Sequence, residues 1–227
     1  MSPQSPFSSS THTSFGSASV GSPALPIQLQ KDAPAFYKHT NYLVRRKLLK
    51  LIGATFYVDD PSGQVVLYAN QKGFKLKEDI RLYTGEDMQT EVLRIGARSW
   101  LDISAVYDVT DATNGQKVGA LRRKGLKSMI QDEWEVLDAQ DRVMGTIKEE
   151  SLPLALLRRF VEFAAFLLPQ KYDIQIGGRH IGNFTQNKNP LLIKLACDFA
   201  PDQNGVFDRR LGLAAAILLC AIEGKQG

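Results

Sequence analysis

The residues of this chain whose type and spacing could do chemistry are its clustered cations. Arg45, Arg46 and Lys47, with Lys50, stand together in one apolar run. Arg122, Arg123 and Lys124, with Lys127, follow a second, and Arg209-Arg210 precede the last apolar stretch. Converging Lys and Arg side chains bind anionic groups, and near an anionic lipid surface each contributes about 1 kcal/mol. The chemistry they point to is recognition of a phospholipid headgroup or a membrane surface. Arg122 to Lys127 is the best-presented cluster, because Gly125 lets the chain turn and bring its charges together. Clusters of this kind also protect a strand edge from pairing with other chains, and that reading needs no ligand.

Catalysis has no comparable support. His12, His39 and His180 are scattered, and no GxSxG, phosphate-binding loop or HExxH occurs. Aspartates gather at turns, where backbone geometry favours them. Cys197 and Cys220 lie in the apolar contexts LLIKLACDF and AAILLCAI and read as buried, inert thiols. No CxxC or Cys/His cluster suggests zinc. The expectation is a non-enzymatic protein without a cofactor. A formal net charge of +4 over 227 residues is too mild for a nucleic-acid partner, and the aromatics do not interleave with the basic runs.

The elements that must position these cations are read from a repeated formula. Phe56-x-Val58-x-Asp60, Tyr107-x-Val109-x-Asp111, Trp134-x-Val136-x-Asp138 and Tyr172-x-Ile174-x-Ile176 are each followed by Gly63, Gly115, Asp141 or Gly177-Gly178. Three re-enter through an apolar residue next to glycine: Val118-Gly119, Met144-Gly145 and Ile181-Gly182. Alternation, turn, alternation is the signature of a β-hairpin. Strands are predicted near 42–51, 54–60, 64–70, 79–84, 90–97, 100–109, 116–123, 132–138, 142–149, 171–176, 179–185 and 191–199. Residues 1–35 contain a long Ser, Pro, Thr and Gly-rich run without a charged residue before Lys31, and are expected to be a disordered tail.

Two segments break the β pattern. Residues 152–168, LPLALLRRFVEFAAFLL, start after Ser151 as an N-cap and end at Pro169, and read as an inserted surface helix. Residues 208–223 begin at Asp208, a natural N-cap, and contain LGLAAAILLCAI, which is apolar on every side. Such a helix must be surrounded. Twelve residues span about 18 Å against the ~30 Å hydrocarbon core, so protein is expected to surround it. The expected fold is an all-β barrel of about twelve antiparallel strands over 36–227, enclosing its own C-terminal helix. Arg209 and Arg210 are expected to close its mouth or pair with acids of neighbouring strands.

This pattern resembles the tubby C-terminal-like superfamily, in particular its LURP-one-related and phospholipid scramblase branch. The carriers are FYVDDPSGQVVLYAN, YDVTDATNGQKVGALRRKG, DEWEVLDAQDRVMGTIKEES and FDRRLGLAAAILLCAIEG. The resemblance covers nearly everything outside the tail. It implies a twelve-stranded barrel around a central helix, with roles that run from phosphoinositide binding to proposed lipid scrambling and plant defence. Scramblases carry a cysteine cluster for palmitoylation, which is missing here. They also carry an acidic segment proposed to bind calcium before the last helix. Its counterpart here offers Asp202, Asn204 and Asp208 but no bidentate Glu at a suitable distance, and reads more simply as a turn leading into a capped helix.

Binding of anionic phospholipid or a membrane surface is therefore the leading expectation. Calcium-linked lipid scrambling and a ligand-free protein-interaction module are the alternatives. The N-terminus lacks a basic start followed by an apolar run, so the expected location is cytoplasmic, with peripheral membrane association.

Overall fold

The computed structural model of the protein describes residues 33–49, 53–72, 79–98, 105–124, 133–150, 169–187 and 192–223. A 3-10 turn, Ala35–Tyr37, leads into twelve strands: β1 (Asn41–Leu49), β2 (Gly53–Asp59), β3 (Val65–Lys72), β4 (Ile80–Tyr83), β5 (Glu91–Ala97), β6 (Val106–Asp111), β7 (Lys117–Arg123), β8 (Glu133–Leu137), β9 (Val143–Glu149), β10 (Gln170–Ile176), β11 (Arg179–Gln186) and β12 (Leu192–Asp198). Helix α1 (Arg209–Glu223) follows. Each strand pairs antiparallel with its neighbours in sequence, and β12 pairs with β1, so the sheet closes into a barrel. Closure leaves no strand edge exposed.

The number of strands matches the sequence reading. The strand expected at 100–109 is the one whose extent moves most. β6 continues through Asp111, because Asp111 is still in register with Leu93 of β5, and residues 100–104 lie outside the described residues. The inserted helix at 152–168 and the tail as far as residue 32 also lie outside them. Residues 33–35, assigned by composition to the tail, belong to the fold: Tyr37 N–H donates to the Pro34 carbonyl, and Tyr37 is buried.

The repeated formula has a physical basis at every position. Its aromatics, Phe56, Tyr107, Trp134 and Tyr172, point inward and are at most 5% exposed. The Val or Ile two residues later, on the same face, is fully buried. A register shift falls directly after that residue in all four hairpins. Such bulges increase local twist, which a closed barrel needs. The aspartates then build the turns: Asp60 accepts from the N–H groups of Ser62 and Gln64, and Asp138 from those of Gln140 and Arg142.

The glycines that reopen the second strands answer to the next strand in the ring. A Cβ on Gly145 of β9 would lie 2.0 Å from the Gln175 carbonyl oxygen of β10. A Cβ on Gly119 of β7 would lie 2.4 Å from the Leu137 oxygen of β8. Only a residue without a side chain permits this approach.

The inward faces of the strands and α1 form one hydrophobic core. Every residue from 211 to 222 is buried, and α1 touches β1 and β12 on one side and β6 and β7, which stand opposite them in the ring. Phe184, Phe199 and Phe207 pack beside its first turn, with ring centroids 5.9–6.0 Å apart in successive pairs. The two ends of the barrel differ. The Asx turns and the start of α1 occupy one end; the connections at 50–52, 73–79, 98–105, 124–132, 150–169 and 187–191 leave from the other. Gly145→Ala is expected to lower stability by about 1–3 kcal/mol, the range for overpacking, measured by denaturant unfolding.

Candidate anion-binding surface

Strand alternation divides the first basic cluster. Tyr42, Val44 and Arg46 face the interior, while Leu43, Arg45 and Lys47 face outward. Closure of the ring then sets Arg45 directly opposite Lys194 of β12, so Arg45, Lys47 and Lys194 share one outer patch. Arg45 is half-buried. Its Nε and Nη2 donate to the two oxygens of Asp59 at 2.6 and 2.7 Å, and this hydrogen bonding raises the guanidinium pKa. The guanidinium lies 5.1 Å from the centroid of the Tyr57 ring, which meets Tyr68 edge-on. Lys47 and Lys194 are exposed, and neither has an ion-pair partner among the described residues. Asp59 pairs with Arg45 and Glu86 acts on the Tyr57 ring beside it, so among the described residues the three cations leave the patch net positive.

The second cluster is largely neutralised. Arg122 Nη2 is 2.5 Å from Glu135 on β8, and Lys124 Nζ lies 2.7 Å from Glu133 and 3.4 Å from Glu135. Lys148 of β9 reaches Glu133 at 3.4 Å. The hydrogen bond from Lys124 holds the Glu133 carboxyl below its ordinary pKa. Arg123 turns inward, half-buried, in register with Trp134. Lys127 lies outside the described residues. The described part of the cluster is thus a ladder of alternating charge across β7, β8 and β9, with little positive field left for a ligand.

The same pairing holds beside it. Arg98 and Lys117 each contact both Asp108 and Asp141. Hydrogen bonds from Arg98 and Lys117 hold the Asp141 pKa down to about 2.

The residues before α1 are committed to protein contacts. Asp202 is buried, accepts from the N–H groups of Val206 and Phe207, and receives Arg209 Nη1 at 2.8 Å. The Arg209 guanidinium lies 4.7 Å from the centroid of the Phe199 ring. Asp208 caps α1 by accepting from Arg210 N–H, and its carboxylate pairs with the Arg210 side chain. Arg210 also reaches Asp111 at the end of β6 at 2.6 Å, tying the helix start to the barrel wall. Asn204 is exposed. Among the described residues no group of three acids, histidines or cysteines could hold a metal ion. A cleft of about 220 Å³ opens beside Arg210, lined also by Tyr37, Val92, Asp111 and Asn114. Its arginine sits between two carboxylates, so the cleft does not favour an anion.

Cys197 and Cys220 are buried free thiols, and burial pushes the Cys197 pKa up. Sequence reasoning missed Lys194, which has no local signal because it meets Arg45 only through closure. It also passed over Glu133 and Glu135, although their alternation on β8 placed both on one face.

A sequentially paired twelve-strand antiparallel barrel followed by a buried C-terminal helix defines the class of protein, a tubby-like barrel. The family model described as LURP-one-related matches residues 65–218, and the chain belongs to that family, within the tubby-like superfamily. No curated protein and no solved structure matches the chain significantly. The matched region contains Lys194 but begins after Arg45 and Lys47.

Two outcomes follow from these contacts. Asp202→Ala leaves buried Arg209 without its counter-charge and is expected to cost about 3–5 kcal/mol in denaturant unfolding. The lowered Asp141 pKa stabilises the fold above the ordinary aspartate value of 3.8, and this contribution is lost as pH falls toward about 2. Asp141→Asn is therefore expected to unfold more readily than wild type at neutral pH, with the difference closing across that window, read by thermal melts at successive pH values.

Proposed function

We propose that the protein is a non-enzymatic binding module that takes anionic phospholipid headgroups on the outer wall at β12–β1. The observation that carries this reading is the closure register that sets Arg45 opposite Lys194, with Lys47 on the same face and Asp59 the one carboxylate paired there among the described residues. Lys47 and Lys194 supply exposed cations, and Arg45, held by Asp59 over Tyr57, supplies a fixed one. This favours an anionic surface over a single deeply bound ion, because three exposed or half-exposed groups on a convex wall match a plane of headgroups.

We also read α1 as running through the lumen. Its burial along the whole length and its contacts with opposite sides of the ring support this. A lumen filled in this way leaves the outer wall and the two ends of the barrel for ligands. Association would then be peripheral, at a cytoplasmic membrane surface. Among the described residues no helix is long and apolar enough to cross a membrane, which says nothing about crossing by strands.

Co-sedimentation with phosphatidylserine or phosphoinositide vesicles tests the reading. Lys47→Glu with Lys194→Glu is expected to lower the partition coefficient by about thirty-fold or more, from ~1 kcal/mol for each lost cation and further loss from repulsion. Arg122→Glu with Lys124→Glu is expected to have a much smaller effect. The opposite ranking, or no binding by wild type, would sink the assignment.

A further inference from the structure

Arg46 is the member of the basic run that the outer wall does not use. It lies on the interior face of β1, in register with Phe56 of β2 and Ile193 of β12, and is 1% exposed. Among the described residues its Nε and Nη1 have no hydrogen-bond partner and no carboxylate pairs with it. Desolvation lowers its pKa, and the ionisable group that acts on it is the Cys220 thiol of α1, which is no counter-charge for a cation. A guanidinium does not escape burial by losing its proton. A buried cation left without an anion costs several kcal/mol. Native structures rarely keep such a group unless something satisfies it.

The surroundings indicate what that would be. Arg46 sits near the end of β1, at the barrel end where α1 terminates, away from the Asx turns. Gln71 of β3 and Gln186 of β11, both 4% exposed, face inward at that same end, two strands away on either side in the ring. The unsatisfied groups of Arg46 are donors, and an acceptor-rich anion complements them.

We propose that Arg46 anchors an interior oxyanion site at the α1-terminal end of the barrel, taking one phosphate or carboxylate group. The site is separate from the outer patch, because adjacent strand residues face opposite sides of the wall. Its ligand is either a free ion or the headgroup of a lipid reaching over the rim.

Thermal unfolding of the full chain in sodium phosphate or sodium acetate, against sodium chloride at matched ionic strength, tests it. Wild type is expected to gain about 2–4 °C saturably in at least one of the two anions. Arg46→Met is expected to lose that response; Arg46→Gln, which keeps polarity without charge, serves if the Met variant does not fold. Lys47→Glu with Lys194→Glu is expected to keep the soluble-anion response while losing vesicle binding, which separates failure here from failure of the outer-wall reading. Vesicles containing phosphatidic acid distinguish the sources: an Arg46-dependent shift with them identifies a headgroup, and a shift with soluble anion alone identifies a free ion. A saturable shift that survives loss of Arg46, or none in wild type, overturns the proposal.

Discussion

Seven residue pairs between β1 and β12, from Asn41 with Asp198 to Lys47 with Leu192, join the first and last strands of the sheet. Every other strand contact is between neighbours in sequence, so these pairs span the longest loop of chain and carry the largest closure entropy. In return they remove both edges of a twelve-strand sheet and give the interior a continuous wall. Helix α1, buried from residue 211 to 222, contacts both strands of this closure, β1 and β12. The turn between β12 and α1 is tied to it as well: Phe199 N–H donates to the Thr40 carbonyl just before β1, which holds the chain where Asp202 and Arg209 can pair.

Charge on the outer wall is mostly matched across neighbouring strands. Arg122 with Glu135, Lys124 with Glu133, and the four-membered group of Arg98, Asp108, Lys117 and Asp141 are all arranged this way. Exposed pairs contribute little stability individually, but they cancel the local field. The patch formed by Arg45, Lys47 and Lys194 stands out because Asp59 offsets only one of its three cations. Local imbalance, rather than the mild overall charge of the chain, makes this wall a candidate for an anionic surface.

Much of the fold was legible because its signals are local. An inward aromatic, a buried Val or Ile, a turn-forming aspartate and a glycine at a close approach repeat within each hairpin, and each has a short-range cause. The N-cap at Asp208 and the apolar run after it were legible for the same reason. The site was less so. Arg45, Arg46 and Lys47 look like one cluster when counted along the chain, yet the two-residue period of a strand sends the middle one into the core. The acidic stretch before α1, read as a turn into a capped helix in place of the calcium site of the resembling family, has Asp202 and Asp208 engaged by backbone N–H groups and arginines.

The sequence by itself determined the hairpins, their turn chemistry, the C-terminal helix and the absence of any recognisable catalytic motif, since all of these are written in intervals of a few residues. Only the tertiary structure decided which cations remain unpaired among the described residues, that Lys194 stands beside Arg45, and that Arg46 is buried with no counter-charge among them. The physical reason is closure. Net electrostatics at any point depends on which distant strands share a face, and that is set by the register at which the ring joins rather than by any residue's neighbours in the chain.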